Sequence, residues 1–261
     1  MALGLAHLLH LRAMSLKFGE RPTSLGHLDK VYSISPRNYL VAITGIVSMF
    51  LALAWPLEDL ATHYLLIARL FQNVLLVLIG PGLFLLGLPR WIFEIDSTYN
   101  KILRRYEGLV TPFVAIVVFN VVQIGSLAPD VVSLSASNFW IESLDRLALV
   151  ASGFVLWIPA LGLTRQSAPI SPGGKAGYLF IQSLIPNFLS LVYIFARHPF
   201  YRTYIRGAHS LSLSPLFDQQ MAGVLAKVAG IFIIWGSALY ILFRKSNQDR
   251  LTGSVLTIDD I

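Results

Sequence analysis

Long apolar runs broken by short polar or turn-forming stretches dominate the pattern along the chain. Six runs approach the roughly 20 residues that a helix needs to cross a hydrocarbon core. They lie at about Tyr39–Ala54, Leu65–Leu88, Leu109–Ile124, Leu144–Leu163, Tyr178–Ala196 and Met221–Phe243. None shows the strict alternation of barrel strands. The pattern predicts an all-α polytopic bundle of about six transmembrane helices, with a transmembrane domain over 37–243. An N-terminal cytoplasmic segment over 1–36 precedes it and a cytoplasmic tail over 244–261 follows. Leu3, Leu5, Leu8, Leu9 and Leu11, interleaved with His7, His10 and Arg12, predict a short amphipathic helix lying on the membrane.

Composition narrows the class further. Of the 261 residues 55% are hydrophobic and 13% charged, about half the charged fraction of an ordinary soluble domain. A soluble enzyme with a charged surface is therefore excluded. Cys 0 removes thiolate metal sites, disulfides and cysteine nucleophiles. No loop holds a phosphate cradle, a nucleophile elbow or a His-Glu-x-x-His pair, so no catalytic residues are assigned.

The net charge of +6 reads as a topology signal, and no nucleic-acid partner is expected. Fourteen of the twenty Lys and Arg residues fall in the N-terminal segment, the second and fourth connections and the tail. Only Arg146, Arg197, Arg202 and Arg206 fall on the opposite side, and Arg69 and Lys227 fall within spans. Positive charge is retained on the cytoplasmic side, so both termini are expected there. Trp55, Trp91, Trp140, Tyr39, Tyr178, Tyr201 and Tyr204 fall near span ends, as interfacial anchors should.

Three polar clusters begin the second, fourth and sixth spans, all at the outer level. They are Arg69, Gln72 and Asn73, then Glu142, Asp145 and Arg146, and lastly Asp218, Gln219 and Gln220 with Lys227 deeper. Charges at this depth are expensive unless paired or wetted. The expected arrangement turns them inward, with Arg69, Arg146 and Lys227 answered by Glu142, Asp145 and Asp218. Such a network serves either as interhelical glue or as a polar pocket open to the outer face. Asn120 and Gln123, one turn apart, are expected to bond between helices, and Gly80-Pro81-Gly82 to loosen the second span.

At these clusters the sequence resembles the cytochrome c oxidase assembly factor CtaG family. The resemblance rests on Trp55-Pro56-Leu57, Gln72, Gly80-Pro81, Leu86-Gly87-Leu88-Pro89, Trp157-Ile158-Pro159 and above all Leu213-Ser214-Pro215-Leu216-Phe217-Asp218-Gln219-Gln220-Met221-Ala222-Gly223. It covers roughly Arg37 to Phe243. It implies a multi-pass protein of the bacterial inner membrane that helps to mature cytochrome c oxidase by assisting copper delivery to the oxidase. It also implies that family histidines align with Arg69, Asn73 and Arg146. A guanidinium has no free lone pair, so the resemblance carries no metal site here and no cofactor is expected, copper being disfavoured.

The expected partners are membrane lipids and subunits of a heme-copper oxidase or another integral complex. The leading reading is an assembly factor acting by binding. The alternatives are a permanent accessory subunit of a respiratory or photosynthetic complex and, behind it, a small-molecule or ion transporter.

Overall fold

The computed structural model describes residues 36–89, 111–163 and 170–243. The expected amphipathic helix, His7 and His10, the anchor Trp91 and the tail over 244–261 lie outside them. Nine helices and no strands are present among the described residues. They are α1 (Pro36–Leu53), α2 (Leu57–Asp59 continuing as a π-wound turn, Leu60–Tyr64), α3 (Leu66–Gly87), α4 (Pro112–Ser126), α5 (Pro129–Ser135), α6 (Phe139–Leu161), α7 (Pro172–Ile194), α8 (Arg202–Ser210) and α9 (Pro215–Phe243). Five are long and apolar enough to cross a membrane, and α4 with α5, bent by 66°, makes a sixth candidate. The chain is a multi-pass membrane protein.

At α6, α7 and α9 capping chemistry, rather than hydropathy, sets the helix start. Asn138 accepts from the N–H groups of Trp140 and Ile141, and Ser171 from that of Gly174. Ser214 does the same for Phe217. These side chains satisfy donors that a first helical turn leaves free. Accordingly α6, α7 and α9 begin at Phe139, Pro172 and Pro215, five or six residues before their apolar runs.

The core lies between α3, α4, α6 and α7, where Leu76, Ala115, Leu156 and Leu179 are fully buried. α9 packs along α7 and α3. α1 rests on the second half of α3 through glycines. A Cβ on Gly45 would lie 2.5 Å from the Phe84 nitrogen, and one on Gly87 2.4 Å from the Ala42 nitrogen. The expected loosening of α3 takes the form of a π-wound segment, Val74–Ile79, ending directly before Gly80-Pro81. A π-turn gives room where a proline ring would press on the carbonyl four residues back.

The three short helices sit in the α1–α3, α4–α6 and α7–α9 connections, all at one end of the bundle. α8 packs on both α2 and α9, and α5 packs on α6. The starts of α3, α6 and α9 lie beneath them.

Candidate functional site

Arg69 stands in the first turns of α3 and is 2% exposed. Its Nη2 donates to the Asp145 carboxylate at 2.9 Å and to the Ser126 carbonyl at 2.9 Å. Arg146, the next residue on α6, donates through Nη1 to the same Asp145 oxygen at 3.2 Å. Its Nη2 reaches the Thr62 hydroxyl at 2.9 Å and lies 3.5 Å from Glu142. Thr62 in turn bonds Glu142 and stands 3.3 Å from Glu58. Because Asn138 fixes the start of α6, Glu142, Asp145 and Arg146 fall on successive turns facing α2 and α3.

The cluster is thus an ion-paired chain from α3 through α6 to α2. Two guanidiniums face Asp145 and Glu142, and Glu58 completes it. The protonated Glu58 carboxyl hydrogen-bonds Glu142, and with partial burial this pushes its pKa up to about 7. Nε and Nη1 of Arg69, Nε of Arg146 and the Ser126 hydroxyl are buried without a hydrogen-bond partner among the described residues. The inward face therefore presents donors.

The other residues of the three sequence clusters go elsewhere, and two correct the expected pairing. Asp218 pairs with no cation among the described residues. Its carboxylate accepts from the backbone N–H groups of Leu66 at 2.7 Å and Ile67 at 3.2 Å, the free donors at the start of α3. Leu65 is extended, which ends the π-wound turn of α2 and leaves those N–H groups open. Lys227 is not joined to the cluster and forms no ion pair among the described residues. Gln219 accepts from the Phe200 N–H at 2.8 Å and Gln220 donates to the Ala196 carbonyl at 3.2 Å, so both pin the α7–α8 connection. Gln72 donates to the Ala52 carbonyl of α1, and Asn73 pairs with Gln123 of α4. Asn120 donates to Gln182 of α7, as expected.

Three tyrosines also depart from expectation. Tyr178, Tyr201 and Tyr204 are buried to 5% exposure or less, whereas Trp55 and Trp140 are 81% and 78% exposed. Each buried phenol donates to a backbone carbonyl, of Leu156, Leu127 and Ala61 respectively. These residues are interhelical ties. The sequence reading missed Thr62, Glu58, Ser126 and Tyr204 as members or neighbours of the polar cluster. Thr62, four residues from Glu58 in a stretch also holding Asp59 and His63, carried the available signal.

A family model matches residues 26–248, described as cytochrome c oxidase caa3 assembly factor. The chain belongs to this family. No curated protein and no solved structure matches it. By family the chain is a cytochrome c oxidase assembly factor, which connects it with a heme-copper enzyme.

The donor set of the cluster does not fit copper. Arg69 and Arg146 offer only N–H groups, and one nitrogen of each stands against the same Asp145 oxygen. No group of three or more His, Cys, Asp or Glu able to hold a metal occurs among the described residues. Deeper in the assembly factor, an apolar cavity of about 70 Å³ lies between α3, α4, α7 and α9. Val74 and Val77 from the π-wound part of α3, Ile234 from a second π-wound segment in α9 (Ile231–Trp235) and Pro186 of α7 line it. The Asn73–Gln123 pair forms its polar edge.

Proposed function

We propose that this assembly factor resides in the bacterial inner membrane and acts by holding an immature heme-copper oxidase subunit, without ligating copper in the cluster between α3 and α6. What supports this is the Arg69–Asp145–Arg146 ion pairing. It fills with cations the level at which the resemblance would put metal ligands, and a site lined by guanidiniums repels a metal cation. A holding role asks only for a stable scaffold with surfaces left for a partner, and the buried pairs supply the first of these.

Two measurements on one strain pair test the proposal. Deleting the gene is expected to reduce assembled oxidase, read from its heme spectrum in membranes, while oxidase purified from the parent strain lacks this chain. Loading the purified assembly factor with copper and then desalting is expected to leave well under one copper per chain. Normal oxidase in the deletion strain would overturn the assembly role. About one tightly held copper per chain would overturn the metal-free mechanism.

A further inference from the structure

α8 has two sides of opposite character. Tyr204, Gly207 and Ala208 are buried, and α8 packs on α2 and α9, whereas Arg202, Arg206 and His209 are exposed. At about 100° per residue the exposed three centre almost directly opposite the buried three. Arg197 and His198, in the connection just before α8, are exposed as well.

The basic side is held firmly from beneath. The Tyr204 phenol donates to the Ala61 carbonyl, and a Cβ on Gly207 would strike the backbone of His63 and Tyr64. Gln219 and Gln220 pin the connection that carries Arg197 and His198. Arg202 and Arg206 stand one turn apart, with Cα atoms about 6 Å from each other. A display fixed in this way loses little backbone entropy when it binds.

No carboxylate among the described residues answers these cations. From Leu147 to Phe217 the sequence contains no Asp or Glu, and Arg197, Arg202 and Arg206 form no ion pair among the described residues. Asp59 is engaged with His63, Glu142 and Asp145 with the buried arginines, and Asp218 with the start of α3. Asp130, in the first turn of α5, pairs with no cation either. Phe200, between Arg197 and Arg202, is exposed beside the stripe. Arginine and aromatic side chains are the residues over-represented at contacts between proteins.

We infer that the Arg202–Arg206 side of α8 docks an acidic segment of the immature oxidase, on the side of the membrane that α8 faces. The inference rests on the holding role proposed above and names the surface that does the holding. Two carboxylates one turn apart in a helix, or two residues apart in an extended segment, match the spacing of the two arginines. Each guanidinium can take a carboxylate through two parallel N–H groups. A second copy meeting this surface with its own would set arginine against arginine. Phospholipid phosphates surround the flanks of the spans, whereas this side of α8 is turned away from the helices it caps.

Photo-crosslinking in cells with the full chain tests this. A photoreactive residue at His209 is expected to capture an oxidase subunit at a segment holding two or more Asp or Glu residues. Reversing both charges, Arg202→Glu with Arg206→Glu, is expected to lower that yield at least fivefold at equal membrane abundance. Arg202→Lys with Arg206→Lys is expected to keep most of it. Cross-links to lipid or to a second copy alone, a captured segment without acids, or a yield unchanged on charge reversal would overturn the inference. If oxidase falls in the deletion strain while no such cross-link forms, the holding role stands and this surface falls. An acidic segment captured from another protein, and lost on charge reversal, would overturn the oxidase as the occupant.

Discussion

At the scale of single residues, the most consequential group is Glu58. Its carboxyl is held protonated to about pH 7 by its hydrogen bond to Glu142 and by partial burial. A carboxyl whose folded pKa is raised contributes stability that is complete below the ordinary value of 4.5 and is lost as pH rises through the folded value. Thermal unfolding in detergent is therefore expected to move to lower temperature between about pH 5 and about pH 8. Glu58→Gln keeps a neutral hydrogen-bonding group there and is expected to flatten that dependence. An equal slope in the variant would place the titration elsewhere.

Much of this cluster was legible before the fold. Arg69, Glu142, Asp145 and Arg146 had to pair because charges at that depth have no water to turn to. Glu58 and Thr62 were not legible, since only the packing of α2 brings them to α6. Asp218 was misassigned for a definite reason. A tally of charges omits the row of unbonded N–H groups at a helix start, which attracts a carboxylate as a cation does.

At the scale of elements, the long helices followed from their apolar runs and the short ones did not. α8 is nine residues long and holds two arginines, so its hydropathy resembles that of a loop. Its inward residues Tyr204, Gly207 and Ala208 repeat at helical spacing only once its partner is known. Gly207 fixes that partnership. A Cβ there would lie 2.4 Å from the His63 carbonyl oxygen and 2.4 Å from the Tyr64 Cα, and backbone cannot swing aside as a side chain can. Gly207→Ala is expected to lower stability by about 1 to 3 kcal/mol through overpacking, read from unfolding in detergent. An unchanged midpoint would mean that α8 and α2 separate at no cost.

At the scale of the whole molecule, the two ends of the bundle divide the labour. One end carries α2, α5 and α8 above the ion-paired cluster, and the charge count predicts that this end faces outside. The chain contains no cysteine, so single cysteines report topology without background. A cysteine at Ser212 or Ser137, both exposed and in the short-helix connections, is expected to react with an impermeant maleimide in whole cells. One at Ser246 in the tail is expected to react only after the membrane is opened. The reverse pattern would invert the protein in the membrane and turn the ion-paired cluster towards the cytoplasm.

The bond from Asp218 to the start of α3 spans 152 positions of sequence. During synthesis α3 leaves the ribosome long before α9, so its first amide groups wait without their acceptor while three more spans and their connections are made. The bond is thus a latch made late: the sixth span closes the second one, and a chain that stops short of Asp218 leaves the first amide groups of α3 without that acceptor.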